Sequence, residues 1–558
     1  MNFASCTKNL KDNQAKYSPW LERIIICLAV LIAYSSIWPN EFVFDDDGLI
    51  VKNEFLKHWS TLPKLLTSLN FAGRGLTVGN YRPVLMLIYF LIYQAFGLST
   101  IAFHALNVSL QALNACLLHH FGIRAGFKKG AAFAAALLWA VHPLHVINVA
   151  YMSSGAELLW GSFCLLGLIA LLPDFTPRKI WLAMIFFILA LGSKESAVAF
   201  PALAASTFFF VSKYRTQIAA YLKMWPLWLL AAVYITAWLL SIDQHGSSID
   251  NNTAPLWSQY YASNFTNRVL TSLATLPVYA RLIVWPTGLH MERTFRVFST
   301  LLDWQPVTGV LMVGLAFLQI LWGRARRGPA LSFGFLWFAA TLSPYTGIVI
   351  PIDAVINETW LYVPTMGLFL GMMQTAAGFF EKRRYAAWLL VCAMSFSLGI
   401  TTFLRNEAWL NPETLYQNIL QNGGHAERIK TFLGMFYMRH QEFDKAIEQF
   451  QYELDHSDDK TKGVSTVIHL RLAIAWLHIP VDENENFTME DVTRTLPIAQ
   501  HIPEAIGELE KALQDDPGFY FADAVLAAIY HYQGNSQRAD FYDKQVDAIL
   551  RKQRNSGP

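Results

Sequence analysis

The sequence predicts an all-α polytopic membrane protein with about eleven spans, two juxtamembrane helices and a C-terminal helical-repeat domain. Three observations carry this expectation. Of 558 residues, 54% are hydrophobic and 15% charged, where a soluble chain would hold about a quarter charged. The apolar residues come in successive runs from 21 to 404, whereas 405–558 reads as soluble sequence. Basic residues gather in the short loops between runs, as they do on the cytoplasmic side of membrane proteins. A membrane domain at 1–404 followed by an extramembrane helical domain at 405–558 is therefore expected.

Composition excludes several classes. A net charge of +2 gives no reason to expect nucleic acid as a partner. The five cysteines (Cys6, Cys27, Cys116, Cys164, Cys392) mostly lie in apolar runs without a CxxC pair. Buried thiols, not a disulfide framework, are the expectation. Residues 1–20 are polar, with Lys8, Lys11 and Lys16. The run after them is too long for a signal-peptide core and shows no small-residue cleavage site, so it is expected to stay as an anchor.

The spans follow in order. With the N-terminal lysines inside, 21–39 crosses outward and delivers the acidic segment 42–48 to the outer face. If both 84–97 and 101–121 crossed, Arg124, Lys128 and Lys129 would fall outside, against the charge rule. The short run 84–97 is accordingly assigned to the outer surface. Run 269–285, interrupted by Pro277 and Arg281 and followed by Pro286, is treated alike. The remaining spans are 101–121, 131–150, 157–172, 180–193, 197–212, 221–241, 306–323, 330–345, 360–379 and 386–404. This keeps Arg178/Lys179, Lys213/Arg215, Arg324/Arg326/Arg327 and Lys382/Arg383/Arg384 inside. It places Asp45–Asp47, Tyr81, Arg82, His142, His145, Glu157, Lys194, Glu195, Arg293, Arg296, Asp353, Glu358, Arg405 and the tail outside. Polar residues from distant loops thus converge on one membrane face.

In the tail, 425–457 carries Leu433, Gly434, Tyr437, Phe443, Ala446, Ile447 and Phe450. This is the small/large pattern of a helix–turn–helix TPR unit. A related second helix occupies 503–513, and a further pair 521–532 and 537–550. Stacked repeats of this kind offer a surface for a peptide or protein; the plainer reading is a lid or spacer.

The segment 42–48 reads Phe-Val-Phe-Asp-Asp-Asp-Gly. A carboxylate here can take the proton of an attacking hydroxyl, three together can bind a divalent cation, and one can cap a helix starting at Gly48. Lys194, ending an apolar span, suits a substrate phosphate as a point charge; alternatively it pairs with Glu195. Arg82, in Tyr81-Arg82-Pro83, can take phosphate or carboxylate, or anchor at the interface. His142 and His145 flank Pro143, which spoils regular helical spacing, and no HExxH pattern accompanies them. They read as a site wall; no metal is predicted, although the acidic cluster leaves a divalent ion open. Glu157, at the top of a span, is costly unless used or paired. The aromatic residues (18 Trp, 22 Tyr, 39 Phe) fit membrane belts. No nucleotide-binding signature is present, so an activated group would come from a lipid carrier.

The order of short motifs is more specific than any one of them. Phe-Val-Phe-Asp-Asp at 42–46, Tyr-Arg-Pro at 81–83, Phe-His-Ala-Leu-Asn at 103–107 and His-Pro-Leu-His at 142–145 are followed by Ser-Lys-Glu-Ser at 193–196. Glu-Thr-Trp-Leu-Tyr-Val-Pro-Thr at 358–365 and Arg-Asn-Glu-Ala-Trp at 405–409 precede the repeats. Together they resemble the transmembrane and TPR-containing O-mannosyltransferases and their bacterial relatives, within the GT-C superfamily. The resemblance implies a polyprenyl-phosphate-sugar donor, inverting transfer and a protein hydroxyl as acceptor, with the TPR domain as the surface that would dock that protein. It implies Asp45 or Asp46 as catalytic base and Lys194, with Arg82, against the donor phosphate. Tyr81, His142, His145, Glu157, Glu195, Glu358 and Tyr362 would form the site wall or acceptor side. The chain departs from the pattern at Ile147, at Ser154-Gly-Ala-Glu157 and at Thr359, where the family carries an acid, Gly-Arg-Ala-Asp and an arginine. The location implied is a bacterial inner membrane with site and tail periplasmic. The competing expectations are the same chemistry on a glycan or lipid acceptor, and a non-catalytic TPR scaffold.

Overall fold

The computed structural model describes residues 19–76, 79–172, 176–210, 221–245, 261–262, 264–325, 329–352, 354–424, 426–456, 462–482 and 486–555. The N-terminal lysines, Cys6, Lys213, Arg215, Arg326, Arg327 and Asp353 lie outside them. Among the described residues regular structure is helical; one isolated bridge, Arg293 with Gly424, is the β pairing found there. The chain divides into two units, one running to Asn411 apart from short excursions, the other carrying Pro412–Pro558 with Glu292–Thr294.

The first helix, α1 (Pro19–Ala33), buries Ile26, Val30 and Ala33 at helical spacing and leaves Leu21, Ile24, Leu28 and Ile32 bare. It stops six residues short of Pro39, earlier than the expected 39. The residue before a proline disfavours helix, and the chain turns from Tyr34 onward with Tyr34, Ile37 and Asn40 buried. A short α2 (Leu62–Thr67) precedes α3 (Pro83–Phe96), the helix at the run assigned to the outer surface. Leu49, Ile50 and Leu56 of the acidic loop share a core with Leu85, Tyr89 and Phe90 of α3 and with Met152, Ala156 and Leu159. This core fixes the loop against α3 and the segment that follows residue 150.

The long α4 (Thr100–Ala125) ends at Gly126, whose φ of 96° suits glycine, with Phe127 N bonded to Gly122 O. Its buried face is polar: His104, Asn107, Gln111 and Asn114 are each at most 1% exposed. Their partners explain the stripe. The expected span 131–150 is two helices, α5 (Lys129–Ala140) and α6 (Val146–Ala150), bent by 51° at a break carrying Pro143. Proline removes a donor and clashes with the preceding turn, so backbone carbonyls there are left without helical partners. Side chains supply them: Gln111 donates to Ala140 O (2.9 Å), Thr402 to Val141 O (2.7 Å) and Asn107 to Val149 O (3.2 Å) and Tyr151 O (3.3 Å). Irregular backbone at membrane depth requires such internal partners.

The next helices are α7 (Gly155–Leu171), α8 (Pro177–Leu191), α9 (Phe200–Phe210), α10 (Trp225–His245) and α11 (Phe265–Val284, with Pro277 inside). Then come α12 (Trp304–Ala325), α13 (Ala330–Leu342), α14 (Tyr362–Phe379) and α15 (Arg384–Arg405). Helices α13 and α14 approach closely because position 367 is glycine: a Cβ there would sit 2.1 Å from the Trp337 ring. Among the described residues four helices are long and apolar enough to cross a membrane, five if the bent pair counts as one. Two of them, around α12 and α15, bury only 17% and 6% of their apolar window, the signature of a face that meets lipid instead of protein.

The second unit carries the helices α16 (Pro412–Gln421), α17 (Ala426–Arg439), α18 (Phe443–His456), α19 (Lys462–Trp476), α20 (Met489–Thr495), α21 (Ile502–Asp515), α22 (Tyr520–Tyr532) and α23 (Ser536–Asn555). Helices α17/α18, α19/α21 and α22/α23 pack as pairs. Gly434 faces Phe450, where a Cβ would come within 2.5 Å of the ring.

Candidate active site

The three aspartates of the first loop have three different environments. Asp46 is fully buried. Its Oδ1 accepts from Ser153 N (2.7 Å) and Ser153 Oγ (2.5 Å), and its Oδ2 from Val43 N (3.1 Å). Burial pushes its carboxyl up to about 7 even though those hydrogen bonds pull it down; the neighbouring Asp45 adds to the rise. Asp47 pairs with Lys52 at 2.7 Å. Asp45 is exposed. Its backbone N–H donates to Tyr151 Oη (3.1 Å), and Tyr151 stacks on Trp409 with ring centroids 5.5 Å apart. The residue before it, Phe44, is left-handed (φ 53°), rare for a bulky side chain. The helical turn Asp47–Val51 receives no side-chain cap from Asp46, so capping does not account for the cluster.

The basic residues lie in one charge cluster. Arg82 grips Glu195 with two bonds, Nε at 3.1 Å and Nη2 at 2.8 Å. Lys194 meets Glu157 at 2.5 Å instead of the adjacent Glu195. Lys194 is extended (φ −155°, ψ 137°) just before the one-turn helix Glu195–Ala199, and in extended backbone successive side chains point to opposite sides. Trp160 Nε1 (2.5 Å) and Tyr345 Oη (3.0 and 3.2 Å) also donate to Glu157. Lys194 Nζ lies 5.4 Å from the centre of the Tyr345 ring, which stacks on Trp360. The aspartate loop is near this cluster: Tyr89, donating to Met152 O at 2.5 Å, lies within electrostatic reach of both Asp46 and Arg82.

The other predicted wall residues hold the scaffold. His142 Nε2 meets Ile283 O (3.0 Å), and its Nδ1 accepts from Leu144 N (3.2 Å). His145 packs edge-on against Tyr362, centroids 5.2 Å apart, and the two histidine rings are 5.9 Å apart. Tyr362 bonds Gln111 (2.5 Å) and Asn114 (3.0 Å) on α4. Glu358, 1% exposed, pairs with Arg405 (2.8 Å) and accepts from His290 N (2.8 Å). Tyr81 is exposed, its hydroxyl on Leu66 O (2.9 Å). Among the described residues no group of three or more His, Cys, Asp and Glu is arranged to hold a metal ion.

Segment 142–157 connects these groups: Asn148 donates to Thr359 O (3.2 Å), Ser153 to Asp46, and Glu157 receives Lys194. Tyr151, Ser153, Trp160 and Tyr345 were not among the sequence candidates. Ser153 immediately precedes the stretch Ser154-Gly-Ala-Glu157; Tyr345 follows Pro344 at the end of an apolar run and carries no spacing signal.

A helical integral membrane protein with an acidic first-loop cluster near paired buried charges is what the fold and site define. The chain is a homologue of the TMTC-type protein O-mannosyl-transferases. It is 26% identical over 411 residues to a protein O-mannosyl-transferase of Caenorhabditis elegans, covering 71% of this chain and 56% of the relative. It is 23% identical over 464 residues to mouse TMTC3, covering 76% and 50%, and 35% identical over 149 residues to mouse TMTC1, covering 26% and 16%. The chain spans about half the length of the long-range relatives it matches. No family model matches the sequence, and no solved structure matches it.

Proposed function

We propose that the chain is a membrane glycosyltransferase that moves a sugar from a polyprenyl-phosphate donor to a hydroxyl of a protein, with Asp45 as base. The single observation that supports the assignment within the loop is accessibility: Asp45 is exposed, whereas Asp46 is fully buried and Asp47 half-buried. Asp45 takes the proton of the acceptor hydroxyl as its oxygen attacks the anomeric carbon. The carbon–oxygen bond to phosphate breaks with inversion, and the lipid phosphate leaves with its negative charge stabilised by Lys194 and Arg82. The relatives' name, protein O-mannosyl-transferase, supports a mannose donor and a protein acceptor. In this reading eleven spans put the site and the C-terminal helical unit outside a bacterial inner membrane, and that unit, read as a TPR solenoid, presents the acceptor.

The test compares Asp45→Asn, Asp46→Asn and Asp47→Asn in purified full-length protein with polyprenyl-phosphate mannose and a peptide acceptor. Asp45→Asn is expected to lower transfer by about 10²–10⁴-fold with donor binding retained. Asp47→Asn should stay within about threefold of the original, since its carboxylate is engaged in a salt bridge with Lys52. Full activity of Asp45→Asn rejects Asp45 as base.

A further inference from the structure

We propose that Glu157 fills an anion site that receives the donor phosphate, so that phosphate enters and leaves by exchanging with this carboxylate. The proposal rests on the polyprenyl-phosphate reading above and adds to it how the site is gated. Glu157 is 1% exposed. Its two oxygens collect an ammonium, a phenol and an indole N–H: Lys194 at 2.5 Å, Tyr345 at 3.0 and 3.2 Å, and Trp160 at 2.5 Å. Arg82 lies within electrostatic reach of the same carboxylate. Those are the donors that would bind a phosphate, and here the protein's own acid occupies them.

Charge balance makes the exchange specific. Arg82, Lys194, Glu157 and Glu195 sum to zero among themselves. A phosphodiester carries one negative charge, the same as one carboxylate, so it can take the place of Glu157 beside Lys194 one for one. Of the two cations, Lys194 is the exchangeable one. Arg82 is locked to Glu195 by two parallel bonds, while a lysine ammonium is a point charge on a flexible stem and can turn to a new partner. The product, a polyprenyl monophosphate, carries more charge than the donor and would be held more tightly. A carboxylate competing for Lys194 shortens its residence. Glu157 is thus a positioning residue that promotes product release.

The experiment measures equilibrium binding of a fluorescent polyprenyl monophosphate to the full chain in lipid nanodiscs. Glu157→Gln is expected to bind it at least about tenfold tighter, and Lys194→Met in the same background to remove the gain. In turnover, Glu157→Gln should lower KM for the donor and lower kcat together, as release becomes slow. Unchanged or weaker binding by Glu157→Gln at unchanged thermal stability overturns the proposal. Should that variant fail to fold, Glu157→Asp keeps the charge on a shorter side chain that no longer spans to Lys194. Its binding is expected to tighten severalfold, and unchanged affinity overturns the proposal equally. Binding by the original chain with no gain in either variant removes the exchange alone. Absence of binding in all of them removes the lipid-phosphate reading as well.

Discussion

Ser153→Ala deletes one hydroxyl and reports how Asp46 is held. The fully buried Asp46 keeps Ser153 N and Val43 N but loses the Ser153 Oγ donor. Burial puts its carboxyl at about 7 in the folded protein, against about 3.9 in an unfolded chain. A carboxyl that holds its proton more tightly when folded contributes stability that is complete below about pH 4 and lost as pH rises through about 7. That contribution is on the order of 4 kcal/mol. A hydrogen bond to a charged group is worth about 1.5–3 kcal/mol and one to a neutral group about 1 kcal/mol. The variant should therefore cost about 1 kcal/mol near pH 5, where folded Asp46 is protonated, and about 2–3 kcal/mol near pH 8.5. Apparent Tm of the solubilised protein across this range measures the difference, with Asp46→Asn as a reference in which this titration is absent. An equal penalty at both ends of the range would refute the account of Asp46 as a buried, hydrogen-bonded carboxyl.

Two further outcomes follow from packing and pairing. Glu358→Gln leaves the Arg405 guanidinium without its buried counter-charge and should cost about 3–5 kcal/mol. The double change Glu358→Leu with Arg405→Met should cost clearly less than the two single changes added together, and additive losses in a thermal cycle would contradict the pairing. Gly367→Ala drives a methyl into Trp337, 2.1 Å away, and should cost about 1–3 kcal/mol in thermal unfolding; unchanged stability would show that α13 and α14 do not approach as described.

Helix content and the irregularity at Pro143 are local properties, written in runs of a few residues that sequence displays directly, whereas 101–121 reads as an apolar span and its polar stripe shows only once its partners are placed. The end of α1 is less legible, because Tyr34, Ile37 and Trp38 extend the apolar run past Ala33 while the backbone has already begun to turn at Tyr34. Partner choice among charges was the least legible. Lys194 and Glu195 are adjacent in the chain, so pairing between them looks natural on paper, yet each takes a partner from another element, Glu157 and Arg82. The loop motif offered Asp45 and Asp46 as equals. What separates them is a serine more than a hundred positions away, Ser153, whose contact with Asp46 has no trace in spacing or composition.

The polar face of α4 has a consequence for biogenesis. Asn107, Gln111 and Asn114 find their partners on α5, on α6 and the segment after it, on α7 and on α14, all made later by the ribosome. Standing alone in hydrocarbon, each of these amides would be unsatisfied, at a cost the apolar residues of one helix must offset. The amides of α4 therefore gain their partners only once the bent pair α5/α6 and the helices after it have been made. Variants that replace the stripe with leucine would enter the bilayer readily and then lack the means to shape the break.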